Sequence, residues 1–133
     1  MRGDNMKHKY LRELFPNSLP FPYGEEDYPD FDNRDTFSMD HTLIMWLYER
    51  LRYFQDEVSQ DIVMTDKLYM FGEEVLIDGK ETTLQACIDR MVEDCKLIIA
   101  ALYEKVEEDW VVAEAAKNDL FKVLSKVYWA MWW

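Results

Sequence analysis

Thiols, imidazoles and glycines are the residues of this sequence that could bind a metal or a phosphate, and their spacing favours neither role. Cys87 and Cys95 have no histidine near them in the chain, where His8 and His41 are the only two, so the clustered donors that zinc needs are missing. The four glycines are isolated from one another, which excludes a phosphate-binding loop and a dinucleotide-binding fingerprint. Both cysteines lie on or beside an apolar helical stripe, where a thiol usually serves packing rather than catalysis.

Carboxylates give a weak indication of a metal-dependent nucleotide hydrolase. All-helical nucleotide pyrophosphohydrolases hold magnesium with acidic residues three apart on facing helices, and Glu104 and Glu107 have that spacing. The second pair is incomplete, because Lys117 stands three residues after Glu114. We therefore predict no catalytic residue, no metal ligand and no cofactor, and the hydrolase is the least favoured alternative.

Arginine and tryptophan side chains indicate a candidate ligand site near the start of the first predicted helix. Trp46 and Arg50 are four residues apart and share a helical face, where arginine can stack under a base or simply cover the ring. Arg34 and Asp35 precede the helix, and Asp40 lies close to its start. The five residues predict a polar ligand-binding site, with a structural alternative in which the carboxylates complement the helix dipole and pair with the arginines.

The sequence ends in an unusually aromatic segment, which includes Trp129, Trp132 and Trp133. We predict that Trp129 and at least one of the other two are buried, under the N-terminal arm or against a second subunit, because exposed aromatic clusters mark contact surfaces. These three are the candidate interface residues, and a homo-oligomer is one way to cover them. Direct nucleic-acid binding is disfavoured, because Lys122 and Lys126 alone make no cationic groove and the net charge is −12.

Length and composition indicate one folded domain over residues 1–133. The chain has 49% hydrophobic and 15% aromatic residues, far more than disordered chains possess. No apolar run approaches the 18 residues or so that a membrane span needs, so no membrane association is expected. Cys87 and Cys95 would be about 12 Å apart along a helix, too far for a disulfide, which favours a reducing cytoplasm.

Three apolar stripes at steps of three and four predict the three helices that would position these side chains. The first helix begins after Asp35, the second after Thr82 or Thr83, and the third near Asp109. The stripes are Leu43, Leu47, Leu51, Phe54, Val58 and Ile62 in the first helix, Leu84, Ile88, Met91, Cys95, Ile98 and Leu102 in the second, and Val112, Ala116, Leu120, Leu124, Val127 and Met131 in the third. We therefore predict a mainly α fold, a small helical bundle of about three main helices.

Two further segments lack helical periodicity. Residues 67–77 predict a short β-hairpin around Gly72, followed by a turn at Asp78 and Gly79. Residues 1–35 contain all four prolines, which interrupt helices and sheets, together with five aromatic residues between positions 15 and 31. We predict that residues 1–35 form an extended aromatic and acidic arm packed on the helical core.

The segment NRDTFSMDHTLIMWLYERLRYFQDE, residues 33–57, resembles a group of small uncharacterised bacteriophage-encoded proteins. That group carries an Arg-Asp-Thr-aromatic-Ser-x-Asp-x-Thr stretch leading into a helix with an Arg-Leu pair and a following Phe. The matching residues here are Arg34, Asp35, Thr36, Phe37, Ser38, Met39, Asp40, Thr42, Arg50, Leu51 and Phe54. The segment GKETTLQACIDRMVEDCKLII, residues 79–99, is similar to their second helix. The resemblance implies a phage origin and a role in the host cytoplasm during infection, with no defined catalytic residue.

Acidity and resemblance together favour a phage-encoded interaction protein that binds and inhibits a host component, such as a defence protein. Twelve surplus negative charges can steer association with basic, nucleic-acid-binding surfaces and occupy them as DNA would. The alternative is a small-molecule binding protein that sequesters a nucleotide signal, with arginines neutralising phosphate and an aromatic ring stacking on the base. The expected partner is thus a host protein or a small nucleotide ligand.

Overall fold

Helices dominate the fold in a computed structural model that describes residues 8–20, 23, 39–60, 64–104 and 107–131. The α-helices are α1 (Lys9–Leu14), α2 (Met39–Asp56), α3 (Leu84–Glu104) and α4 (Glu107–Val127), and two 3-10 helices span Val58–Gln60 and Tyr128–Met131. Four short strands, β1 (Tyr69–Met70), β2 (Glu73–Glu74), β3 (Leu76–Ile77) and β4 (Lys80–Glu81), lie between α2 and α3. The predicted mainly α bundle of three main helices is confirmed.

Helix α3 lies at the centre of the bundle and contacts both α2 and α4. Its predicted stripe is buried, apart from Ile98, which is partly buried against the same core. The Oγ1 atom of Thr83 accepts a hydrogen bond from the backbone N–H of Ala86 at 3.0 Å, so Thr83 caps the helix as one of the two predicted residues. Burial of the whole stripe follows because the 3.6-residue period keeps those side chains on one face.

Helix α2 buries a wider and slightly rotated face compared with the prediction. Leu47, Leu51 and Phe54 are buried as expected, and so is Val58 in the 3-10 helix that follows α2, but Leu43 is 50% exposed. Ile62, the last residue of the predicted stripe, lies outside the described residues. The other buried side chains of α2 are Thr42, Ile44, Met45, Tyr48 and Glu49. The rotation has a physical reason, because α2 packs against α3 on one side and α1 on another, so the buried arc is centred away from Leu43.

Helix α4 packs along α3 through a stripe of small and branched residues. Ala116, Leu120 and Val127 are buried as predicted, and Leu124 is partly buried. Val112 is 45% exposed and its neighbour Ala113 takes the buried position. The predicted stripe is therefore correct over the second half of α4, where the helix is closest to the core.

Two antiparallel hairpins stand side by side before α3. In the first, Tyr69 pairs with Glu74 and Met70 with Glu73; in the second, Leu76 pairs with Glu81 and Ile77 with Lys80. The predicted hairpin around Gly72 is confirmed, and the predicted turn at Asp78 and Gly79 closes the second hairpin. Val75 and Ile77 are buried in the core, which holds the hairpins against the helices.

Part of the predicted N-terminal arm, Lys9–Leu14, is a helix rather than an extended segment. Helix α1 buries Tyr10 and Leu11 against the core, and it forms because KYLREL contains good helix formers and no proline before Pro16. Beyond α1, Phe15 meets Tyr103 edge to face at 5.2 Å between ring centroids. Leu19 is buried in the core and Tyr23 packs against it, whereas residues 1–7, 21–22 and 24–35 of the predicted arm lie outside the described residues.

Candidate functional site

The predicted ligand site on α2 is only partly assembled. The guanidinium carbon of Arg50 lies 4.7 Å from the ring centroid of Trp46, so the predicted pairing of these two side chains is observed. Asp40 lies on a different side of α2, where its carboxylate accepts a hydrogen bond from the backbone N–H of His41 at 3.0 Å. Arg34 and Asp35 lie outside the described residues. The described part of the site is therefore one stacked Arg–Trp pair on an exposed helix face.

Trp129 is not buried within the subunit, which was one of the two ways of covering it that the sequence left open. Its side chain is 59% exposed, and that of Tyr128 is 58% exposed. The reason is local, because the last core residue of α4 is Val127 and the chain then tightens into a 3-10 helix, which turns Tyr128 and Trp129 outwards while Ala130 and Met131 pack on the core. Coverage by a second subunit stays a prediction, and Trp132 and Trp133 lie outside the described residues.

Three exposed rings meet at this end of the bundle. The ring of Trp129 lies 5.0 Å from Tyr128 and 6.4 Å from Phe71, edge to face in both cases. Phe71 is 84% exposed and occupies the turn of the first hairpin. We call Phe71, Tyr128 and Trp129 the C-terminal aromatic surface. The signal for Phe71 in the sequence was its place beside Gly72 in a turn, where an aromatic residue is unusual.

A polar network joins the second hairpin to α3 and α4. The Nε and Nη2 atoms of Arg90 donate to the two carboxylate oxygens of Asp119, the Nε bond at 2.9 Å. Arg90 also donates to Asp78 at 3.1 Å, and Lys122 donates to Asp78 at 2.7 Å. The two carboxylates hold the pKa of Arg90 above its ordinary value, and Arg90 holds the pKa of Asp119 below its own. The network fixes the second hairpin on the helices.

Asp94 is the buried member of this network. Asp94 is only 8% exposed. Its Oδ2 atom is buried and has no hydrogen-bond partner among the described residues. Burial first, and then the hydrogen bond and charge of Asp119, raise the pKa of Asp94 to about 7. The raised pKa favours the neutral, protonated form of Asp94 up to about neutral pH, so this buried site holds no second full negative charge beside Asp119. An acid of this pKa suits proton transfer, but burial closes it to a substrate, so we assign the network a structural role.

This network was not predicted from the sequence. Arg90 and Asp94 are four residues apart on α3, and Asp119 and Lys122 are three apart on α4, which are spacings that place side chains on one helix face. Asp94 also interrupts an otherwise apolar stripe beside Met91. These two signals point to a buried polar contact between α3 and α4, but the pairing of the two helices is visible only in the structure.

The cysteines are packing residues, as predicted. Cys87 and Cys95 are free and buried. Burial raises the pKa of Cys87, and burial followed by the charge of Asp94 raises the pKa of Cys95 to about 12. A thiol held neutral in the core is a poor nucleophile. The Nδ1 atom of His41 lies 3.4 Å from the hydroxyl oxygen of Tyr103.

The described residues give no support for metal binding or for a membrane-spanning helix. No group of three or more His, Cys, Asp or Glu side chains is arranged there to hold a metal ion. No helix within the described ranges is long and apolar enough to span a membrane. Glu104 and Glu107 are the acidic pair with the spacing of a magnesium site. Their side chains lie outside the described residues.

Relationships to other proteins were tested against protein-family models, curated proteins and solved structures. The resemblance of residues 33–57 and 79–99 to bacteriophage proteins rests on the quoted motifs and stays a hypothesis. Comparison of the chain with all three groups finds no match.

Proposed function

We propose that the protein is an acidic interaction protein that binds a basic protein of the host cell through the C-terminal aromatic surface and thereby inhibits it. The observation that carries this proposal is Phe71, a large apolar side chain that is 84% exposed in a strained turn. Trp and Tyr side chains, which flank Phe71 here, are over-represented among the residues that dominate protein interfaces.

The backbone at Phe71 supports a role in binding rather than in folding. Phe71 has a φ of 54°, in the left-handed region, where a bulky L-residue is an outlier and costs about 1 kcal/mol or more. Asn or Gly would adopt this conformation more easily. A protein that accepts such strain to expose an aromatic ring next to Trp129 gains no core packing from it. Strained residues of this kind cluster at functional surfaces.

Charge supports a basic partner. The segment that carries the two hairpins, residues 64–83, has five acidic residues and two lysines, a net charge of −3 (2 − 5), within a chain of net charge −12. Negative charge around an apolar contact surface speeds association with a positive surface and disfavours negative ones. A positive host surface of this kind is one that binds nucleic acid, and the bacteriophage resemblance is what suggests a defence protein.

Nucleotide sequestration, the alternative function, has less support. The Trp46–Arg50 pair lies on an exposed helix face, whereas small-molecule sites are concave and surround most of the ligand. Arg50 also occupies one face of the Trp46 ring that a base would need. We therefore assign this pair to a protein contact instead.

Affinity capture with matched variants tests the proposed function. The wild-type protein, the double variant Phe71→Asn with Trp129→Ala, and the control Trp110→Ala are each immobilised and exposed to host-cell extract. Trp110 is 46% exposed on α4, and its separation of 19 residues from Trp129 spans roughly 28 Å along the helix axis. We expect one basic protein to be retained by the wild type and by the control, and to be lost from the double variant.

Binding of the captured protein is then measured by calorimetry after purification. The double variant should bind at least about tenfold more weakly, and wild-type affinity should fall from low to moderate salt as charges are screened. Duplex DNA should compete with the wild-type protein. Equal affinity of the double variant, or binding that neither salt nor DNA affects, would reject the proposal.

A further inference from the structure

The outer face of α2 carries apolar side chains that the bundle does not cover. Met39 is 60% exposed, Leu43 50%, Trp46 48% and Tyr53 55%, and Arg50 and Glu57 are also exposed. We call these six residues the outer seam of α2. Asp40 and Asp56 are the other fully exposed residues of this helix, one at each end, and His41, Arg52 and Gln55 are partly exposed. A seam of this composition on a helix already packed on α1 and α3 is a surplus apolar surface.

The spacing of the outer seam is that of a coiled coil. Its residues follow one another at steps of four, three, four, three and four, which is the alternation of the two apolar positions in a heptad repeat. The backbone N–H of Glu57 donates to the carbonyl of Tyr53 at 2.8 Å, so the last member continues the helical turn and stays on this face. Such a seam fits another helix by knobs-into-holes packing.

We propose that the outer seam of α2 binds a second copy of this chain, with the two α2 helices antiparallel. The steps read the same in both directions, so a two-fold axis between Trp46 and Arg50 matches the seam with itself. Leu43 then faces Tyr53 of the partner subunit, and Met39 faces the partner subunit's Glu57. A surface that is complementary to itself gives the closed dimer that two-fold symmetry requires.

Charge selects the antiparallel orientation. Parallel helices would place each seam residue opposite its own copy, so Arg50 would face Arg50 and Glu57 would face Glu57, which repel each other. Antiparallel helices place Arg50 against Trp46 of the partner subunit. Arg50 already lies 4.7 Å from the Trp46 ring of its own chain, and an arginine between two indole rings keeps this contact on both sides.

Salt distinguishes this dimer from the host complex. Each subunit has a net charge of −12, and the antiparallel pairing brings Asp40 of one subunit to the same end as the partner subunit's Asp56. Both effects oppose association, so screening by salt should strengthen the dimer. The host complex proposed above should instead weaken with salt, and the two associations can be told apart in one titration.

Analytical ultracentrifugation of the full chain tests the dimer. We expect the wild-type mass to rise towards that of a dimer with protein concentration and with salt. Leu43→Glu and Trp46→Glu should each stay monomeric, because a charge is placed in the seam, and circular dichroism should show that both remain folded. Leu97→Glu is the control, because Leu97 is 45% exposed on α3, and it should associate like the wild type. A wild type that stays monomeric throughout, or a dimer that Leu43→Glu retains, would overturn the proposal.

A thiol cross-link tests the orientation. The double variant Leu43→Cys with Tyr53→Cys should form a covalent dimer with a short thiol-specific reagent, whereas Leu43→Cys alone should not. The buried native thiols make the wild type the unreactive control. Efficient cross-linking by Leu43→Cys alone would indicate a parallel pairing and overturn the antiparallel one. The variant Phe71→Asn with Trp129→Ala should dimerise normally, which separates this surface from that of the proposed function.

Discussion

The two hairpins have the same turn and very different residues in it. Phe71 and Gly72 close the first hairpin with φ values of 54° and 82°, and Asp78 and Gly79 close the second with 55° and 76°. Two consecutive positive φ values are the pattern of a type I′ turn, in which Asp-Gly and Asn-Gly are preferred. The second turn therefore follows the folding preference, while the first departs from it by carrying an aromatic residue.

The surroundings of the two turns explain the difference. Asp78 is paired with Arg90 and Lys122, so the second turn is tied to α3 and α4 by charge. Phe71 meets the exposed ring of Trp129, and most of its surface faces solvent. One hairpin contributes to the bundle and the other displays a side chain.

Arg90→Ala should lower the free energy of unfolding by about 2 kcal/mol. The change removes the two-pronged partner of Asp119, which keeps only Lys122 at 3.6 Å. Breaking a buried ion pair costs about 3 to 5 kcal/mol, but Arg90 is 38% exposed, so solvent screening reduces the loss. Urea denaturation measures it. Lys96→Ala, which removes a surface pair with Glu93 on the same helix, is the control and should cost less than about 0.5 kcal/mol. Equal losses for the two variants would show that the network does not anchor the hairpin.

Stability should also depend on pH through Asp94. Its pKa is about 7 in the folded chain against 3.8 ordinarily, so the folded state binds a proton that the unfolded state has released between these values. The free energy of unfolding should therefore fall as pH rises from about 4 to about 7, by about 1 to 2 kcal/mol in the upper half of that range. Asp119, with its lowered pKa, acts in the opposite sense only below this range. Denaturation at pH 5 and pH 7 should show the fall in wild type and in Asp89→Asn but not in Asp94→Asn; a fall of the same size in Asp94→Asn would assign it to another group.

Gly72→Ala and Gly79→Ala should each cost about 1 kcal/mol. Neither added Cβ would meet an atom within 4 Å, so the loss comes only from forcing an L side chain to positive φ. Similar losses in thermal denaturation would show that the two turns share one backbone conformation. If alanine at either glycine causes no loss of stability, that hairpin can adopt another type of turn, and the two turns do not share one backbone conformation.

Local patterns predicted most of the fold, because they depend on neighbours in the chain. The stripe of α3 and the cap at Thr83 were predicted correctly, since one face of that helix is buried and helical spacing marks it. Leu43 was assigned to the wrong face because α2 packs on two partners, and no local pattern states which arc each partner covers. Arg90 and Asp119 are 29 residues apart, so their pairing depends on how α3 and α4 align. In the candidate ligand site, helical spacing predicted the contact between Trp46 and Arg50. The exposure of Trp129 could not be predicted in this way, because it depends on how the whole bundle packs around the end of α4.

The smallest expected effect, and the one with the opposite sign, is Phe71→Asn. Asn adopts the left-handed conformation more readily than Phe, so the turn should lose its strain and the free energy of unfolding should rise by about 0.5 to 1 kcal/mol. Little packing is lost in exchange, because Phe71 is 84% exposed. Asp78→Asn is the matched change in the other hairpin: it keeps the turn preference but weakens two ion pairs, so stability should fall. Thermal and urea denaturation of both variants measure whether the free energy of unfolding rises or falls.

A loss of stability in Phe71→Asn would mean that the ring supports the fold through Trp129, and its exposure would then be no argument for a partner. A gain, together with lost binding to the captured host protein, would show that Phe71 is retained at the expense of stability for what it contacts outside the chain.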